Sequence, residues 1–230
     1  MKILALETST DSGSVALFDG ATVIERPVVG RPGHSETLLP GVVALLDSCG
    51  VTLDQLDAIA FGAGPGAFTG LRLACGAAQG LALGLGKPVI PVGNLEALAS
   101  QCPQDMIFVA ADARMSEVYF AAYRRTPEGL EEMMAPACAA PSEVRLPAEG
   151  SWFGFGTAFQ AYPESLVPAL GSRLAGFDGA PVPLASSIAR LAGQCFLRGE
   201  LVDPALAAPL YVRDKVAMTT AERLARGGKA

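Results

Sequence analysis

From Gly62 to Gly86 the chain reads Gly-Ala-Gly-Pro-Gly-Ala-Phe-Thr-Gly-Leu-Arg-Leu-Ala-Cys-Gly-Ala-Ala-Gln-Gly-Leu-Ala-Leu-Gly-Leu-Gly. A glycine-rich turn is joined to a helix with almost no bulk on one face. Gly76, Gly80 and Gly84 recur every fourth residue, so they line a single stripe. A glycine inside a helix costs about 1 kcal/mol relative to alanine. A sequence that carries several must gain something by close approach to another backbone. Two readings follow: a phosphate ligand on the turn, or another helix on the stripe.

The 230 residues suffice for one large domain or two small lobes, and a chain that is 50% apolar and 17% charged is not a disordered one. A net charge of −6 argues against a large autonomous nucleic-acid face, which needs clustered Lys and Arg. Arg72 and Gln79 interrupt the most apolar stretch before it reaches the roughly 18 residues of a membrane span, so no membrane association is expected. Met1-Lys-Ile-Leu-Ala-Leu-Glu reads as a first strand, not as a signal peptide. The five cysteines form no CxxC pair and read as reduced, buried residues of a cytoplasmic protein.

The apolar runs at residues 3–8, 15–18 and 22–29 are separated by polar turns, one of them Asp19-Gly20, and read as three antiparallel strands. Ser35 is placed as the N-cap of a helix over 35–48, with Leu38, Leu39, Val42, Val43, Leu45 and Leu46 as its apolar stripe. A strand at 56–61, the small-residue helix at 68–85, a strand at 88–92 and a helix capped by Asn94 complete a βββαβαβα pattern. The pattern partly restarts with a hairpin at 106–111 and 118–123, a loop-rich stretch at 126–150, a strand at 152–156 and a helix at 186–197. Residues 204–212 read as extended. The expectation is an α/β, duplicated fold of the actin-like ATPase, sugar-kinase and heat-shock ATPase kind (ribonuclease H-like). Its lobes are residues 1–104 and a degraded 105–216, followed by a flexible tail at 217–230.

Several sites can be excluded. Gly86-Lys87 is followed by Pro88, and Leu81 stands where a Walker loop needs its first glycine. Gly62, Gly64 and Ala67 fit a dinucleotide fingerprint, but the following strand ends without the ribose-binding acid. His34 is the only histidine, so neither a two-histidine metal site nor an HExxH site can be built, and no metal ligands are assigned. His34, Ser35 and Glu36 are neighbours at a helix start and read as capping residues. Thr8, Ser9, Thr10, Asp11 and Ser12 form a candidate phosphate turn or an ordinary hairpin turn, and local sequence leaves both open. Asp112-Ala-Arg114, with Glu117 nearby, reads as a pair across a hairpin in preference to a ligand site.

Five segments resemble the TsaB (YeaZ) family: Met1-Lys-Ile-Leu-Ala-Leu-Glu-Thr-Ser-Thr10, Gly33-His-Ser-Glu-Thr-Leu-Leu-Pro40, Gly64-Pro-Gly-Ala-Phe-Thr-Gly-Leu-Arg72, Asp112-Ala-Arg114 and Pro209-Leu-Tyr-Val-Arg213. The resemblance is collinear to about residue 216. It implies a non-catalytic paralogue of TsaD, in the machinery that places threonylcarbamoyl on adenosine 37 of tRNA. The implied partners are TsaD as a heterodimer, the ATPase TsaE through that complex, and a second copy when alone; TsaC supplies the adenylate donor and tRNA contact is indirect. The metal-holding histidines of the catalytic paralogue correspond here to Asn94 and Leu98, and its first Ser-Gly-Gly loop of the second half to Asp112-Ala-Arg-Met115. ATP, ADP and metal are therefore expected on TsaD and TsaE, with no cofactor bound tightly here. The implied docking face is Leu38, Leu39, Val42, Leu46, Leu73, Gly76, Ala77, Gly80 and Gly84. The competing expectations are a self-sufficient actin-fold ATP-dependent phosphotransferase, supported by the Thr8–Ser12 turn, and a metallopeptidase, opposed by the single histidine.

Overall fold

The computed structural model describes residues 1–28 and 33–213. Strands β1 (Ile3–Glu7), β2 (Gly13–Phe18) and β3 (Val23–Val28) form the expected antiparallel meander. Helix α1 (His34–Cys49) follows, then β4 (Ala58–Gly64), α2 (Phe68–Leu85), β5 (Val89–Gly93) and α3 (Asn94–Gln101). The strand order is β3-β2-β1-β4-β5, with β1 antiparallel to β2 and parallel to β4. Side chains alternate across the pleat, so Leu4 and Leu6 face α1 and α2 while Ile3 and Ala5 face the other way. Both α1 and α2 stop at a left-handed glycine, Gly50 and Gly86, that leaves the last carbonyls bonded.

The second half holds β6 (Met106–Asp112), β7 (Val118–Thr126), β8 (Gly129–Ala139), β9 (Trp152–Phe155), α4 (Ala158–Ala161), α5 (Pro163–Leu170), β10 (Leu174–Asp178) and α6 (Ala185–Leu197). Its order, β10-β9-β6-β7-β8, repeats that of the first sheet once each sheet is counted from its own first strand. The fold is thus the duplicated actin-like α/β arrangement. The loss in the second half falls on the helices: only the 3-10 turn Pro141–Glu143 stands where the first half has α1. The stretch 126–150 is not mainly loop. Residues Gly129–Ala139 pair with β7 as an edge strand, where Pro136 removes no ladder bond that a central strand would need.

One assignment by chain order fails. Helix α6, expected with residues 105–216, packs on the first sheet, where Ala185, Ile188, Ala189 and Ala192 meet Ala5, Ala16, Ala60 and Ile90. Gly193 lets it approach Phe18, whose ring a Cβ would contact at 2.5 Å. Helix α3 lies between the sheets, with Leu95, Leu98 and Ala99 packed among Ile107, Val109 and Tyr123 of the second. The proposed tail at 217–230 and Val29, the expected end of the third strand, lie outside the described residues.

Candidate functional site

The turn after β1 is occupied by the protein's own bonds. Thr8 Oγ1 donates to the Gly70 carbonyl at 2.7 Å, and Ser9 donates its N–H (2.6 Å) and its hydroxyl to Glu7 Oε1. Thr8 and Ser9 are buried, at 1% and 4% exposure, so neither is free to receive a phosphate. Thr10, Asp11 and Ser12 remain near or at the surface. Glu7 is fully buried, and burial outweighs its two bonds from Ser9, pushing its carboxyl up to about 7. His34 does not act as a cap. The helix starts at His34 itself after Gly33, with no side-chain cap bond, and His34 Nε2 donates to the Thr10 carbonyl at 2.9 Å.

The glycines of the opening stretch divide into two groups. Gly62, Gly64, Gly66 and Gly70 sit where the chain crowds against itself. A Cβ at Gly70 would overlap the Thr8 carbonyl, and one at Gly66 would lie 2.6 Å from Ser9 Cβ. Gly64 has φ +123°, and a Cβ there would meet the Leu210 carbonyl at 2.6 Å. Gly76, Gly80 and Gly84 face open space: among the described residues, no atom beyond the helix's own backbone lies within 4 Å of an added Cβ.

Three residues of the expected docking face are not on the surface. Leu38, Val42 and Leu46 are 1%, 2% and 4% exposed and belong to the core under the first sheet. The helix turns the neighbouring positions outward instead: Leu39 and Val43 are half exposed, as is Leu83 on α2. Leu73 and Ala77 are partly buried against the same core. The outward set is therefore Leu39, Val43, Gly76, Gly80, Leu83 and Gly84, on two helices that touch each other.

Between the two lobes lies a cleft of about 460 Å³, lined by the Thr8–Ser12 turn from Ser9 onward, Pro65–Ala67, Asn94, Leu98, Asp112–Arg114 and Thr157. Arg114 spans its mouth, pairing with Asp11 at 3.2 Å from one lobe and Asp112 at 3.8 Å from the other. The expected contact between Asp112 and Arg114 is thus present, and Arg114 in addition reaches Asp11 across the lobes. Arg114 and Asp11 are both largely exposed, so the bridge contributes at most about 1 kcal/mol. Arg114, Met115 and Ser116 all have positive φ (59°, 55°, 60°), each costing roughly 1–2 kcal/mol in a non-glycine residue. Asp112 Oδ1 holds this loop by accepting the Arg114 N–H at 2.8 Å. Asn94 is not the expected cap. It is the first residue of α3, fully buried, with neither amide atom bonded.

The segment after Asp203 lines a second, smaller cavity beside the cleft, with Leu210–Arg213 on one wall and Pro65–Phe68 on another. Leu210 N–H donates to the Ala63 carbonyl, Gln79 donates to the Pro204 and Ala207 carbonyls, and Arg72 donates to Tyr211. Arg213 then crosses to the second lobe, where it pairs with Glu117 at 2.6 Å, donates to the Ala113 carbonyl and sits over the Tyr119 ring. Sequence reading gave residues 204–212 as extended but not where they dock, because their residues carry no periodicity.

A family model, TsaD, tRNA N6-adenosine threonylcarbamoyltransferase, matches residues 24–166. With the duplicated sheets, that match defines an actin-like α/β protein related to TsaD. Finer comparison narrows the class. Over 230 residues the chain is 36% identical to the tRNA threonylcarbamoyladenosine biosynthesis protein TsaB of Escherichia coli K12, covering 94% of this chain and 96% of that one. It is 32% identical to the Haemophilus influenzae protein of the same name, with 94% and 95% covered. The solved structure of YeaZ from Pseudomonas aeruginosa superposes with a TM-score of 0.84 at 38% identity, over 91% of this chain and 99% of that one. The chain belongs to the TsaB (YeaZ) family. Among the described residues no helix is long and apolar enough to cross a membrane.

Proposed function

We propose that this chain serves threonylcarbamoylation of tRNA adenosine 37 as a non-catalytic subunit: it binds TsaD and, through TsaD, TsaE. Family membership supports the pathway. The observation that carries the docking role is the outward face of α2, where Gly76, Gly80 and Gly84 keep bulk away from a surface that no described residue covers. Three interior glycines cost the helix roughly 2–3 kcal/mol together. A partner helix seated on them regains that through close packing, and Leu39, Val43 and Leu83 supply apolar area around it. The same face serves a homodimer when TsaD is absent.

The engaged hydroxyls of Thr8 and Ser9 support the accessory role over the self-sufficient phosphotransferase, as does the histidine used to brace the turn. In this reading ATP, ADP and metal sit on TsaD and TsaE, tRNA contact is indirect, and the complex is cytoplasmic. Gly80→Leu is expected to abolish capture of TsaD and to remove this chain's stimulation of tRNA modification in a TsaC–TsaD–TsaE reconstitution. At a dilution where the wild type is monomeric, its melting temperature should stay within a few degrees of wild type, because the added side chain meets open space in the single chain. Wild-type capture by the variant would overturn the reading, and so would tight binding of ATP and Mg²⁺ to the pure chain by calorimetry.

A further inference from the structure

Two sequence motifs, Asp112-Ala-Arg114 and Pro209-Leu-Tyr-Val-Arg213, lie outside the docking face, yet they meet in the structure. Residues 204–213 run along α2 as a strap, and two side chains of α2 hold it. Gln79 Nε2 donates to the Pro204 and Ala207 carbonyls, and Arg72 Nε donates to the Tyr211 hydroxyl. Arg72 stands four residues before Gly76 and Gln79 three after it, so both are its neighbours on the helix surface. A helix seated over the glycines therefore reaches the strap, whose Leu206 and Tyr211 are 76% and 47% exposed.

At its far end the strap grips the turn between β6 and β7. Arg213 donates to the Ala113 carbonyl at 3.1 Å, reaches the Arg114 carbonyl at 3.5 Å and pairs with Glu117 at 2.6 Å. Between these contacts Arg114, Met115 and Ser116 take three consecutive left-handed conformations. None of the three is glycine, asparagine or aspartate, the residues that adopt that region at low cost. Such a run persists only where its surroundings impose it, and strained segments of this kind are characteristic of switches. Here the surroundings act from two sides: Asp112 Oδ1 accepts the Arg114 N–H, and Arg213 holds the carbonyls. The Arg114 side chain leaves this turn to meet Asp11 across the lobes.

We propose, building on the docking reading, that the strap couples the face of α2 to the mouth of the cleft. A partner helix on α2 presses the strap into place, and Arg213 then fixes the Arg114–Ser116 turn and with it the Arg114–Asp11 contact. Two states follow. With the strap seated, the turn is left-handed and Arg114 joins the lobes; with Arg213 withdrawn, the turn relaxes and that contact opens. A partner that touches the seated strap favours the first state. By reciprocity, whatever favours the left-handed turn tightens the partner. Arg213 is thus a positioning residue for docking, although its guanidinium bonds to the second lobe.

Ser116 offers a clean test, because it is exposed on the second lobe and belongs to neither the strap nor α2. Glycine holds a left-handed conformation without strain, and a β-branched residue resists it most. Ser116→Gly should therefore lower the Kd of the full chain for purified TsaD by roughly a few-fold, and Ser116→Val should raise it by a similar factor. Arg213→Ala should raise it about tenfold and, in the free chain, speed hydrogen exchange at the amides of Arg114–Glu117 by about as much. Bound TsaD should slow that exchange in the wild type. Equal Kd values for wild type, Ser116→Gly and Ser116→Val, with Gly80→Leu still failing to bind, would overturn the coupling and leave the docking face standing. Exchange at Arg114–Glu117 that TsaD leaves unchanged would do the same. Binding by Gly80→Leu at wild-type strength would remove the docking face, and the coupling with it.

Discussion

Glu7 ends β1 inside the protein and anchors the turn that follows through both donors of Ser9. Its carboxyl titrates near 7 in the fold against 4.5 ordinarily, because burial penalises the charged form. A raised folded value means that the folded chain holds this proton more tightly. The stabilisation is then complete below pH 4.5, declines as pH rises toward 7 and is gone above it, a change of roughly 3 kcal/mol. Glu7→Gln keeps the acceptor for Ser9 and has no charge to bury. Urea unfolding at pH 4.5, 6 and 8 should show the variant gaining on wild type by about that amount across the window. A constant difference between the two would mean that Glu7 does not carry the titration.

At the scale of elements, α2 shows how glycines of one helix answer to different neighbours. Gly70 touches the first strand's turn and cannot accept a methyl, so Gly70→Ala should destabilise by roughly 3 kcal/mol or more. Gly80→Ala, into open space, should stabilise the isolated chain by up to about 1 kcal/mol. Denaturation midpoints moving in the same direction would contradict this division. Spacing alone could place Gly76, Gly80 and Gly84 on one stripe, but not say whether the stripe met this chain or another. That depends on which side the sheet covers. The same ambiguity misassigned α1: Leu38 and Leu39 are adjacent and equally apolar, and only the sheet under the helix separates the buried one from the exposed one. The first sheet was legible because its strands are short apolar runs bounded by Asp19-Gly20 and the glycine turn. Strand β8 was not, because an edge strand with Glu131, Glu132 and Pro136 shows neither alternation nor a continuous apolar run. Asn94 and Glu7 escaped for a different reason: an unbonded buried amide is a property of surroundings, and no local pattern announces it.

Across the whole molecule, the two lobes are tied by segments remote in sequence. Arg213 joins the C-terminal strap to Glu117 and the Ala113 carbonyl, and its guanidinium is mostly buried. Arg213→Ala should cost roughly 1–3 kcal/mol and speed proteolysis of the segment after Asp203, while Trp152, deep in the second lobe, keeps its native emission. An unchanged cleavage rate would show that the lobes are held by other contacts. Helix α6 has a different consequence, which belongs to synthesis on the ribosome. The first sheet is complete once β5 has emerged, yet the face formed by Ile3, Ala5, Ala60 and Ile90, which Ala97 of α3 covers at one end, waits for residues 185–197 for most of its cover. At the usual 5–20 residues per second, the nascent chain carries that apolar face largely uncovered for roughly 5–20 s. The small alanines that dominate it expose less grease than the leucines on the opposite face, and so lower the hazard of this wait.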